Sequence, residues 1–100
     1  MGKKTILRLV LDILKAYDPE INLVCEELIE KCVESHISGV NITVTAMDRL
    51  TQGVKIVIEG SSLDYDEIND VLVSMNCVVH SLDQCVAGER LVEEIDTPQD

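Results

Sequence analysis

The stretch from Ile6 to Leu14, ILRLVLDIL, constrains this chain more than any other. It is the longest nearly unbroken apolar run, and only Arg8 and Asp12 interrupt it. Read with a period of two, Leu7, Leu9, Leu11 and Ile13 fall on one face, and Ile6, Arg8, Val10, Asp12 and Leu14 on the other. A strand with one greasy face and one mixed face belongs inside a sheet that is covered on one side only. The run is too short and too charged to span a membrane. No small-residue cleavage site follows it, so the preceding Lys3 and Lys4 do not mark a secretory signal. The chain reads as cytoplasmic, with no membrane partner.

The remaining segments fit around this strand. Asp18-Pro19 reads as a helix start, with Asp at the N-cap and Pro in the first turn. Ile21, Val24, Cys25, Leu28 and Cys32 then recur at helical spacing, and the helix is expected to end near Ser35 or His36, before Ser38-Gly39. Val40 to Met47 alternates cleanly, as does Val54 to Gly60, and the polar loop between them makes a hairpin. Asp64 with Glu67 reads as a capping box, and Leu63 with Ile68 as a hydrophobic staple. Ile68, Val71, Leu72 and Met75 form the buried stripe of a second helix, which Asn76 ends in a left-handed turn. A fourth strand starts near Cys77. Its inward set is either Val78, His80 and Leu82 or Val79, Ser81 and Asp83; Leu82 is taken as inward, with a bulge before Val86. Glu89 to Ile95 is read as a fifth edge strand or a helical turn, and residues 96–100 as a polar tail.

The order β-α-β-β-α-β makes one domain over residues 1–100. Two right-handed crossovers interleave into an antiparallel sheet of order 4-1-3-2, with both helices on one face. This α+β arrangement is the ferredoxin-like sandwich, and it places the opening strand at the centre. The core has to be aliphatic, because the chain has two Tyr and neither Phe nor Trp. The shortage of aromatic rings and a formal charge of −11 argue against nucleic acid, since stacking faces are few and phosphate is repelled.

The segments LRLVLDILKAYDPEI, SGVNITV, DRLTQGVKIVIEG, VVHSLDQCVAGERLVEEI and the closing DTPQD resemble a small archaeal family of about one hundred residues. That family is ferredoxin-like and is catalogued as a domain of unknown function. The resemblance covers nearly the whole chain. It implies an archaeal, cytoplasmic, homo-oligomeric protein, and it brings no activity with it and no role for the cysteines.

Candidate chemistry is sparse. Cys25, Cys32, Cys77 and Cys85 form no C-x-x-C pair and read as small core hydrophobes without disulfides. No nucleophile triad, phosphate-cradling loop or H-E-x-x-H occurs, so no catalytic residue is named and an enzyme is disfavoured. His36 reads as a helix C-terminal cap. His80 and Asp83 form the most site-like pair, although a spacing of three sets them on opposite faces of a regular strand. The mixed sheet face is the expected ligand or partner surface, through Arg8, Asp12, Thr43, Glu59, His80 and Asp83, with Arg8 neutralised by Glu59 or Asp83. The reading is a self-assembling regulatory or interaction module. The alternative is a protein that binds Ca²⁺ or Mg²⁺ through Asp64, Asp66 and Glu67 or Glu93, Glu94 and Asp96; no other cofactor is expected.

Overall fold

The computed structural model describes residues 5–95. Six elements follow in order: β1 (Ile6–Ala16), α1 (Ile21–Lys31), β2 (Ile37–Met47), β3 (Thr51–Gly60), α2 (Tyr65–Ser74) and β4 (Cys77–Ala87). The strands form one antiparallel sheet of order β2-β3-β1-β4, which is the ferredoxin-like order expected from the sequence. β1 is central. Its Leu9, Leu11 and Ile13 pack with Val54, Ile56 and Ile58 of β3, Val24 and Leu28 of α1, and Ile68 and Leu72 of α2. The core is thus aliphatic, one layer of helices against one face of the sheet. The polar segment 96–100 lies outside the described residues.

The α1 boundaries differ from expectation at both ends. Asp18 is not the N-cap: the amides of Leu23 and Val24 bond the carbonyl of Glu20, so the first turn closes there, and the Asp18–Pro19 peptide is cis. Asp18 instead offers its carbonyl to the Asn76 side chain at 3.2 Å, tying this turn to the end of α2. At the far end the helix stops at Lys31. The amides of Glu34 and Ser35 go to the Glu67 carboxylate, at 3.1 and 3.0 Å, rather than onward in a helix. His36 therefore caps nothing. It sits one residue before β2 in the left-handed region, at φ 47°.

α2 follows the sequence closely. The Asp64 side chain accepts the Glu67 amide at 3.2 Å, Leu63 and Ile68 are buried, and Asn76 has φ 61°. The Glu67 side chain, however, does not return to the Asp64 amide. That amide bonds the Ser35 hydroxyl at 2.9 Å, and the same hydroxyl donates to Glu67 at 2.8 Å. Gly60 closes against this turn, where a Cβ would lie 2.6 Å from the His36 carbonyl oxygen.

Bulges correct three facing assignments. In β1, Ile6 pairs with Ala87 and Arg8 with Val86, leaving Leu7 as an extra residue. Ile6 and Arg8 consequently face opposite sides, and Ile6 packs on the core while Leu7 is only half buried. In β4 the ladder skips His80 and Asp83. Each skipped residue resets the alternation, so neither of the expected inward sets stays on one face. Leu82 is set opposite core residue Leu11 but remains half exposed, and Cys77 and Val79 are the β4 residues that pack on the core. Residues 89–95 form neither a fifth strand nor a helical turn; after Gly88 they run as an irregular arm.

Candidate functional site

The helices leave one face of the sheet uncovered, and the strand registers organise that face into rows. The first row runs Gly39–Glu59–Arg8–Val86, the second Asn41–Val57–Val10–Gln84, and the third Thr43–Lys55–Asp12–Ser81. Residues directly opposite in an antiparallel ladder share a side. An apolar stripe, Val57 with Val10, therefore lies between a row built on an ion cluster and a row that is polar throughout.

The ion cluster centres on Arg8, whose side chain is only 14% exposed. Its Nε donates to Glu59 at 2.8 Å, and its two terminal nitrogens donate to both carboxylate oxygens of Glu93 at 3.0 and 2.9 Å. Gln84 accepts a further bond at 3.3 Å. Hydrogen bonds from the guanidinium hold the Glu93 carboxyl below its ordinary range, and the two carboxylates together raise the already high pKa of Arg8. Glu93 brings the 89–95 arm to the sheet, beside a second depression bordered by Asp83, Gln84, Val86 and Val92. Toward the other edge, Gly39, Asn41, Thr43, Lys55, Val57 and Glu59 line an open groove of about 550 Å³. Lys55 makes no ion pair among the described residues.

Of the six residues expected on this surface, Arg8, Asp12, Thr43 and Glu59 share it. His80 and Asp83 occupy the two skipped positions of β4, and Asp83 accepts a 2.8 Å bond from Ser81. The expected Arg8 partner Glu59 is present; Asp83 is replaced by Glu93, from the arm. Nothing in the spacing of ERLVEEI signals that contact, because it depends on how the chain turns at Gly88.

The sequence pattern of the family DUF211, described as uncharacterized ArCR, matches residues 7–100. The chain belongs to this family. An uncharacterized protein of Methanocaldococcus jannaschii is 46% identical over 95 residues, covering 95% of each chain. The resemblance to an archaeal family of unknown function is thus correct, and no DUF211 activity is available to transfer.

Other groups in this DUF211 chain are accounted for by the fold. Burial raises the thiols of Cys25, Cys32 and Cys77, that of Cys32 to about 11 with Glu67 and Asp64 adding to the effect. Cys32 and Cys77 are small core residues as expected, whereas Cys25 is half buried outside the core cluster and Cys85 is exposed. Lys15, the residue that follows the Ile6–Leu14 run and still belongs to β1, is fully buried. Its ammonium donates to the carbonyls of Ala16 and Tyr17 and to Gln52, at 2.7, 3.1 and 3.1 Å. Among the described residues, no three His, Cys, Asp or Glu side chains gather where they could hold a cation. Glu67 and Asp64 are engaged as described, Glu93 holds Arg8, and Asp96 lies outside the described residues. No described helix is long and apolar enough to cross a membrane.

Proposed function

We propose that this protein is a self-assembling interaction module that takes a small ligand on its open sheet face, between subunits. The groove over β2 and β3 is the observation that supports this reading. Val57 offers an apolar floor, Asn41 and Thr43 offer hydrogen bonds, and Lys55 offers an ammonium that makes no ion pair among the described residues. A few polar groups converging on an apolar floor is the usual composition of a small-molecule site. The matching ligand is a small organic acid with its anionic group over Lys55. Among the described residues the face carries no nucleophile paired with a base, so the reading is binding, in the cytoplasm, rather than catalysis.

The test is a thermal-shift screen with amino acids, organic acids and nucleotides, with Ca²⁺ and Mg²⁺ as separate arms, alongside light scattering at micromolar concentration. A ligand that stabilises the protein and loses its effect in Lys55→Ala is the expected outcome. Stabilisation by Ca²⁺ or Mg²⁺ alone would move the reading to cation binding by the surface carboxylates. A monomer that no organic acid stabilises would sink it.

A further inference from the structure

Among the described residues, Val86 is the one buried apolar side chain outside the core cluster. It pairs with Arg8 and so stands on the face that the helices leave open. What borders it there is the 89–95 arm. Val92, Glu93 and Glu94 line the same depression as Val86 and Gln84, a space of about 340 Å³. Arg8 is covered on this face as well, with Glu93 across its two terminal nitrogens. The arm thus covers an arginine and a valine that stand side by side in one row.

The cover is lightly fastened. Residues 89–95 are all exposed, their apolar side chains Leu91, Val92 and Ile95 included. Among the described residues, the hydrogen bonds that hold the arm to the sheet are those of Glu93, whose side chain is itself 69% exposed. An ion pair with one partner in water is weak and open to exchange. The root of the arm is fixed, because the Gly88 amide donates to the Thr5 carbonyl at 2.8 Å and the Thr5 hydroxyl to the Gly88 carbonyl at 2.9 Å. Arg8 keeps its direction without the arm. Glu59 accepts from its Nε at 2.8 Å and Gln84 from a terminal nitrogen at 3.3 Å, both from the strands beside it. Freed of Glu93, the guanidinium still presents two terminal nitrogens as a fork, the geometry that takes a carboxylate with two parallel bonds.

We propose that Arg8 and Val86 form a binding site for a small aliphatic carboxylate, and that the 89–95 arm is a displaceable strap whose Glu93 and Val92 occupy the ligand's place. Glu93 supplies the carboxylate of such a ligand, and Val92, beside Val86 in the same depression, its apolar part. Release of the arm also carries the Glu93 and Glu94 charges away. Glu59 and Asp83 remain beside the incoming anion, so the site favours an acid that covers Val86 as well as pairing with Arg8. The strap competes within the chain, and the apparent affinity of the intact protein is reduced to the fraction of molecules with the arm off. This site is separate from the groove over Lys55 and does not rest on it. Glu59, level with Arg8, is four residues from Lys55 on β3, about 13 Å along an extended strand. A small acid reaches one cation or the other.

The test is a titration of the full-length chain with sodium isovalerate, followed by backbone resonances, against isovaleramide and against NaCl at equal ionic strength. Wild type and Glu93→Gln are compared with Glu93→Gln carrying Arg8→Gln or the milder Arg8→Lys, each checked for folding by circular dichroism. In the wild type, isovalerate is expected to move residues 91–95 toward their positions in Glu93→Gln, while the amide and NaCl do not. Glu93→Gln is expected to bind at a several-fold lower concentration, with shifts at Arg8, Gln84 and Val86. Arg8→Gln loses that binding, and Arg8→Lys, which keeps the charge without the fork, weakens it. Equal half-saturation in wild type and Glu93→Gln means that the arm does not compete, and overturns the strap. Displacement of the arm by NaCl or by the amide to the same extent means that no carboxylate is recognised, and overturns the site. A response that survives both Arg8 substitutions and is lost in Lys55→Ala places the acid in the groove, which overturns this proposal and supports that reading. No response in Glu93→Gln overturns the proposal and leaves the groove to its own screen.

Discussion

Ser35 shows how much one buried side chain decides in this fold. Its amide and hydroxyl both bond Glu67, and its hydroxyl accepts the Asp64 amide. The side chain thus stands in for the missing half of the α2 capping box and pins the turn between α1 and β2. Ser35→Ala leaves the Asp64 amide without that acceptor and removes one bond to Glu67. A buried donor deprived of its partner costs about 1–3 kcal/mol, and urea unfolding is expected to show a loss of that size with an unchanged m-value. A loss within error would mean that water or Glu67 itself takes over the amide. Lys15 makes the complementary point. It continues the row Leu9, Leu11, Ile13 with the same parity, so its inward direction was open to reading. A lysine in such a row reads against burial, and its three neutral acceptors come from Ala16, Tyr17 and Gln52, which no pattern in the chain announces.

At the scale of elements, what was legible was what periodicity controls: the order and type of β1 to β4, α1 and α2, and the side of the sheet taken by Arg8, Asp12, Thr43 and Glu59. What was not legible was every feature that shifts a register by one residue. The alternation in β1 and β4 is correct between bulges and inverted across them, so Ile6, Leu82, His80 and Asp83 were misassigned or ambiguous for one physical reason. The arm is the other such case, since Glu93 reaches Arg8 only through the turn at Gly88. The Glu93 carboxyl sits below its ordinary range because Arg8 donates to it. A lowered folded-state value means the contact is fully present above the ordinary carboxylate range and is lost as pH falls through the lowered value. Backbone resonances of residues 91–95 are therefore expected to shift in acid along one titration curve whose midpoint lies below that of an unperturbed glutamate. Glu93→Gln should show the released-arm spectrum already at neutral pH, with the sheet unchanged. An arm that titrates at the ordinary glutamate value would show that Arg8 does not hold it in solution.

Across the whole molecule, the controlling quantity is the charge of −11 set against one sheet edge, β2, that contains no charged residue. Copies that meet along the β2 edge bring no charge of that strand into the contact, but they still approach against the field of all their carboxylates. The screening length falls from about 10 Å at 0.1 M salt to about 3 Å at 1 M, so added salt removes the long-range repulsion while leaving backbone pairing and apolar burial intact. The concentration at which the assembly dissociates, read by light scattering or sedimentation, is therefore expected to fall several-fold as NaCl rises through this range. The sign discriminates between seams. An interface built on ion pairs, such as Arg49 or Lys55 against a neighbour's carboxylates, weakens over the same range. An assembly that comes apart in salt would thus place the contact on the charged surface, and the uncharged β2 edge would then need another explanation within a single copy.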